Sequence, residues 1–252
     1  MKNTPIFVIN LEKSQERRAF IQEQFSKFPH IQYQFFNAVN GKENPNYPLF
    51  TKYNEKERFK RKGNLMSLSQ LGCWASHYHL WEKCVELAQP IIILEDDASL
   101  FSHFSEVYKF LGSKDNHFEF LWLSPPAPKN RPQIGKKLHS IPNTECYVER
   151  FFKKWDNATG YFITPSAAYT LLKLSEEWIY NVDITMDRYW EHKIDYLAIT
   201  PACVSPDSTQ GSNIEFNPEK SNRTLWIKCQ REIYQLKDLF NKMCYDLSIR
   251  FK

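Results

Sequence analysis

Eight residues, Pro90-Ile-Ile-Ile-Leu-Glu-Asp-Asp97, decide how the rest of the chain is read. Four consecutive apolar residues bounded by a proline are short for a helix and suit a strand covered on both faces. Such strands belong to sheets with helices above and below. This one runs directly into three carboxylates. Working outward, Pro5-Ile-Phe-Val-Ile-Asn10 is a second buried-strand run. Ser14 is placed as the N-cap of a helix to about Phe28, with Ala19, Phe20, Phe25 and Phe28 as buried positions. Ile31–Val39 reads as the next strand, so the chain opens β-α-β. Ser69 is expected to open a long helix. Its Leu71, Trp74, Ala75, Tyr78, Trp81, Val85 and Ala88 fall on one face.

Beyond the acidic run, a helix is expected over Ser102–Leu111 with Gly112 ending it. Phe118–Leu123, Ala158–Thr164 and Tyr196–Thr200 read as strands. Thr164-Pro165 forms an N-cap and N1 pair for a helix to Leu174. Alternating strands and helices predict an α/β domain with a mostly parallel central sheet. In such sheets ligands collect outside the carboxyl ends of the strands, which points to Asn10, Glu95-Asp96-Asp97 and Thr200. Gly41–Asn64 is read as a long surface loop with a basic cluster at Lys52, Lys56, Arg58, Lys60, Arg61 and Lys62, either a solvated charge run or a contact for an anionic acceptor or lipid head group. Ser124–Asn143, rich in proline, is read as a structured flap. The expected organisation is one domain over residues 1–215 and a C-terminal helical extension over 216–252. From about Ser221 that extension repeats Leu225, Cys229, Ile233, Leu236, Phe240, Met243 and Leu247 at helical spacing.

Composition narrows the function classes. The chain of 252 residues is 42% hydrophobic with a formal charge of +4, which gives ample core and no strong case for nucleic acid. No apolar run reaches the roughly 18 residues of a membrane span. The N-terminus lacks a signal-peptide core, so a cytoplasmic location is expected. The six cysteines lack zinc-ligand spacing and are read as reduced.

The acidic run carries the chemistry. Carboxylates at the end of a buried strand are costly and oppose one another's ionisation; a divalent cation relieves both. Residues two apart on an extended backbone share a face, so Glu95 and Asp97 can approach one ion. Oxygen ligands favour Mg²⁺ or Mn²⁺. Acids after a strand can also simply cap the next helix. Asp183 and Asp187, four apart, can share a helix face.

Four segments together resemble glycosyltransferase family 25, the bacterial lipooligosaccharide glycosyltransferases related to the collagen galactosyltransferases. They are Ile6-Phe-Val-Ile-Asn-Leu11 with Ser14 and Glu16-Arg17-Arg18; Leu71-Gly-Cys-Trp-Ala-Ser-His77 with Trp81; Ile92-Ile-Leu-Glu-Asp-Asp97; and Gly160-Tyr-Phe-Ile-Thr164 followed by Val182-Asp183. The resemblance spans roughly residues 5–205, departs at Trp155-Asp-Asn-Ala-Thr159 and does not extend over the final forty residues. It implies a GT-A-type, Rossmann-like domain that binds a UDP-sugar through a DxD-type motif with Mn²⁺ or Mg²⁺. By motif, Asp97 is the main metal ligand. Glu95 contacts the ribose or the metal, Asp96 orients the site, and Asn10 and Arg17 sit near the nucleotide. Ser76 and His77 are candidates for the nucleotide side, although a helical histidine also serves as packing. An inverting transferase needs a carboxylate base; Asp183 is the expected one, with Asp187 and Asp156 in reserve, although Asp183 can also cap a helix. The implied reaction moves a hexose, galactose first, to a lipooligosaccharide acceptor. A metal-dependent phosphoryl or nucleotidyl transferase and a silent glycan-binding relative are the alternatives. The C-terminal helix is expected to cover the domain; its basic charge also suits peripheral contact with the anionic inner-membrane surface.

Overall fold

The computed structural model describes residues 3–127, 133–207 and 224–250. β1 (Ile6–Asn10) is followed by α1 (Gln15–Ser26) and β2 (Gln34–Asn37). A 3-10 turn at Pro48–Lys52 leads to α2 (Glu55–Lys62) and α3 (Leu68–Leu87). β3 (Ile91–Glu95) and β4 (Ala98–Leu100) precede α4 (Phe104–Leu111). β5 (Phe120–Trp122), β6 (Lys136–Ser140), β7 (Tyr147–Arg150) and β8 (Gly160–Ile163) precede α5 (Pro165–Leu174). Then come α6 (Val182–Met186), α7 (Tyr189–His192), β9 (Leu197–Thr200), β10 (Val204–Pro206) and the long α8 (Leu225–Arg250).

Eight strands form one sheet in the order β2-β1-β3-β8-β5-β9-β7-β6. β1 runs parallel to β2 and β3, and β5 parallel to β9; β8 opposes β3 and β5, and β7 opposes β9 and β6. Only β8 and β7 therefore run against the common direction, so the sheet is mostly parallel in sense and mixed in pairing. β4 and β10 make a separate antiparallel ribbon.

Successive strand residues point to opposite faces, and β3 divides the core accordingly. Ile91 and Ile93 pack with Phe7, Trp74, Trp81 and Leu171 beneath α3 and α5. Ile92 and Leu94 pack with Ile6, Val8, Phe25 and Phe104 beneath α1 and α4. Both faces are covered, which is why the run is apolar throughout. Ser67 and Gln70 form a reciprocal capping box at the start of α3, two residues before the expected opening. Thr164 caps α5 as expected.

Three expectations are corrected. The basic segment within Gly41–Asn64 is not a loop: Asn54 accepts the Glu57 amide as N-cap, Gly63 turns left-handed at φ 68°, and α2 lies between. Its Arg58 is buried and donates to the carbonyls of Asn64 and Ile179 at 3.3 Å. The proline-rich flap contains β6, which completes the sheet edge. The C-terminal helix does not cover the domain with its apolar stripe. Trp226, Ile233 and Phe240 are 69%, 63% and 66% exposed. Instead α8 docks through polar groups: Arg188 donates twice to Asp238 (2.6 and 2.7 Å) and the Tyr189 hydroxyl donates to Asp246 (2.7 Å). The 215/216 boundary lies outside the described residues. No helix among the described residues is long and apolar enough to cross a membrane, and all six cysteines are free thiols.

Candidate active site

β1 and β3 are neighbours, and their carboxyl ends bring Asn10 beside Glu95-Asp96-Asp97. Asp96 is buried and tied on both oxygens, to Arg17 of α1 at 2.6 Å and to the Asn10 amide at 2.9 Å. The ion pair offsets the cost of burying that carboxylate. It joins β1, α1 and the end of β3. Glu95 and Asp97 remain for other work. Glu95 is partly exposed, with His77 Nε2 at 3.4 Å. Burial and the Glu95 charge push the Asp97 carboxyl up to about 7. Its Oδ1 is buried with no hydrogen-bond partner among the described residues.

Glu95, Asp96 and Asp97 line a cleft of about 330 Å³ with Ser14, Arg17, Asn40 and Lys42, a size that suits a small ligand. Several residues of the Leu71–His77 motif build or back its far wall. Gly72 lets the chain after β2 press against α3: a Cβ there would lie 2.3 Å from the Val39 carbonyl oxygen. Ser76 accepts the Val39 amide at 2.9 Å and donates to the Gly72 carbonyl at 2.8 Å. The Ser76 hydroxyl is thus committed to holding that wall. Trp74 stacks on Trp178 at 4.7 Å in the core. His77 is buried, with Nδ1 2.8 Å from the Tyr161 hydroxyl, which also accepts from Trp81 Nε1 at 2.9 Å. This chain of bonds aims Nε2 at Glu95.

The residues fit a divalent cation. Asp97 offers an orphaned buried oxygen, Glu95 a partly exposed one, and ligation would stabilise the charge that burial opposes. Cys73, His77 and Glu95 each place a donor atom within 4.8 Å of the others. Cys73, which sequence reasoning passed over, is held protonated by burial and by Glu95.

Asp183 and Asp187 have different surroundings. Asp183 lies in the first turn of α6 and accepts the Ile184 amide at 2.8 Å. Burial raises its pKa, the Ile184 amide opposes the rise, and Asp156, Glu95 and His77 act on it electrostatically. Asp187 is 2% exposed and enclosed: it accepts the Trp155 and Asp156 amides and the Tyr196 hydroxyl. Burial pushes it up to about 7. It therefore anchors the Trp155–Thr159 segment. Asp156, the other reserve for the base, sits at φ 51°, and its charge acts on Asp183. Thr200 ends β9 and is not among the cleft residues.

A family model described as "Glycosyltransferase family 25 (LPS biosynthesis protein)" matches residues 3–186. A "Glycosyltransferase 25 family member" of Aedes aegypti is 32% identical over 106 residues, 39% of this chain and 17% of that protein. "Lipooligosaccharide biosynthesis protein lic2B" of Haemophilus influenzae is 27% identical over 197 residues, 71% of this chain and 68% of that protein. "Procollagen galactosyltransferase 1" of Danio rerio is 24% identical over 176 residues, 67% of this chain and 28% of that protein. The chain spans 16–17% of the length of the insect proteins, from Aedes aegypti, Drosophila pseudoobscura pseudoobscura and Anopheles gambiae, at the head of these matches.

Proposed function

The chain belongs to glycosyltransferase family 25, and from that membership we propose that it transfers galactose from UDP-galactose to a lipooligosaccharide acceptor, with inversion at C1. The observation that carries this reading is the meeting of Arg17 and Glu95-Asp96-Asp97 at one cleft, with Asn10 bonded to Asp96 and the Glu95 charge acting on Asp183. Galactose and the acceptor class are supported by the names of the Danio rerio and Haemophilus influenzae relatives.

Glu95 and Asp97 would hold Mn²⁺ or Mg²⁺, which when bound neutralises the departing diphosphate. Arg17, held at 2.6 Å by Asp96, presents its guanidinium to the cleft, where it can meet a phosphate. The acceptor hydroxyl attacks C1 of galactose, its proton passes to the Asp183 carboxylate, and the bond from C1 to the UDP oxygen breaks. Burial raises the Asp183 pKa, which strengthens it as a base at neutral pH. Asp187 positions the neighbouring backbone.

The outward stripe of α8 supports peripheral contact with an anionic membrane surface. Exposed Lys228, Lys237 and Arg250 flank Trp226, Ile233, Phe240 and Met243, the arrangement of an interfacial helix. Flotation with anionic vesicles, and none with neutral ones, is expected.

The site is tested by following UDP-galactose binding and transfer in Asp183→Asn. Binding with Mn²⁺ should persist while turnover falls about 10²–10⁴-fold. Wild-type turnover would remove Asp183 as the base; absence of any UDP-sugar binding would remove the nucleotide assignment of the cleft.

A further inference from the structure

A second concavity, of about 300 Å³, lies against α6 and is lined by Arg58, Lys62, Asn64, Asn181, Ile184 and Arg231, among others. A neighbouring one of about 450 Å³ shares Lys62 and Ile184 and adds Lys154 and Arg188. Neither contains a residue of the acidic run. α6 joins them to the chemistry, because Ile184 follows Asp183 and the Asp183 charge reaches Arg58.

Two features of the first concavity are unsatisfied. Asn64 Oδ1, Asn181 Oδ1 and Arg231 Nε are buried without hydrogen-bond partners among the described residues. A buried polar group without a partner is costly unless something binds it, and here all three line one space. The second feature is charge. Arg58 is spent on backbone carbonyls and Arg188 on Asp238 and Glu191, while Arg231 meets Glu232 at 3.3 Å through one terminal nitrogen and keeps its Nε for the concavity. Lys62 and Lys154 have no ion-pair partner among the described residues, and the Tyr180 ring is the aromatic contact of Lys62. Burial, followed by the charges of Lys154, Arg58 and Arg188, pulls the Lys62 ammonium down to about 8, with Asp156 acting the other way. Orphaned acceptors call for hydroxyl donors, and surplus cations call for an anion. A saccharide with an acidic substituent offers both.

We propose that the concavity between α2, α6 and α8 is an acceptor subsite for an anionic saccharide unit, a sugar bearing a phosphate or carboxylate. Lys62 and Arg231 take the anion, and the Asn64 and Asn181 oxygens take hydroxyls. The assignment rests on the reading of Asp183 as the base, since it sets where the acceptor must lie.

The test is calorimetric titration of the full chain with glucose, glucose 6-phosphate, glucuronic acid and inorganic phosphate. Glucose 6-phosphate or glucuronic acid should bind about tenfold or more tighter than glucose, the size of a charge-assisted hydrogen bond. Preference for one or the other identifies the acid. Lys62→Met and Arg231→Gln should each erase the preference while leaving UDP affinity and melting temperature unchanged. Asn181→Ala should weaken glucose 6-phosphate but not inorganic phosphate. Equal binding of all four probes, a preference that survives both charge substitutions, or inorganic phosphate binding as tightly as both anionic sugars would overturn the proposal. Loss of UDP binding in the wild type with the anion preference intact would instead strike the nucleotide assignment alone.

Discussion

Asp187→Asn isolates one buried charge. The carboxyl is pushed up to about 7 by burial, against 3.8 in the unfolded chain. Between those values the folded protein holds a proton that the unfolded chain has lost. Stability from this group is therefore complete below pH 3.8 and declines as pH rises towards 7. About three pH units at roughly 1.36 kcal/mol each gives about 4 kcal/mol across the window. Asparagine has no proton to lose, and the geometry accommodates it. The Trp155 and Asp156 amides both reach one carboxylate oxygen, at 3.1 and 2.9 Å. An asparagine oxygen can accept both, and its amide nitrogen can donate to the Tyr196 hydroxyl on the other side. Urea unfolding of wild type and variant from pH 4 to 8 checks this, with the difference between the two curves as the readout. That difference should fall by about 4 kcal/mol, in the sense that the wild type loses ground as pH rises. A difference that is flat with pH would refute the buried-charge argument. Turnover at pH 7 should persist; a loss as large as that of Asp183→Asn would make Asp187 the base.

Arg17→Met leaves Asp96 with Asn10 as its partner and should cost about 3 kcal/mol in urea unfolding, the low end for breaking a buried pair; a cost under about 1 kcal/mol would mean that water replaces the arginine. Gly72→Ala drives a methyl group into the Val39 carbonyl and should cost about 1–3 kcal/mol. It should also weaken UDP binding, and unchanged UDP affinity would separate that wall from the nucleotide. Asp97→Ala should abolish the Mn²⁺ dependence of UDP binding. Because Asp97 titrates at about 7, its charge opposes folding once pH passes that value. The metal-free variant should therefore be no less stable than wild type at pH 8, and a marked drop in melting temperature there would refute this account of Asp97.

The strand runs around Ile6 and Ile91 were legible because covering both faces of a strand removes every polar residue, and their carboxyl ends located Asn10 and the acidic run together. Arg17 was legible as a residue near the site, but its partner Asp96 was not, since the pair spans 79 positions. α2 was misread because its basic residues mask the Asn54 and Gly63 caps, and Arg58 is buried against carbonyls that only the tertiary fold supplies. The stripe of α8 was legible as a helix, but periodicity cannot say which face docks. Tyr234, Asp238, Tyr245 and Asp246 won that role through Arg61, Arg188, Lys193 and Tyr189. Lys62 and Arg231 stand 169 positions apart, and their meeting at one concavity left no local trace.

One face of α8 carries Trp226, Ile233 and Phe240 to solvent, while Arg231 on the other lines the acceptor concavity. If the outer face rests on lipid, the helix becomes a spacer. Its width with side chains, about 10 Å, then fixes the height above the membrane at which a growing glycan meets Asp183. Sugars held closer to the lipid than that would pass beneath the site, so the enzyme would extend only primers that already project beyond the headgroups.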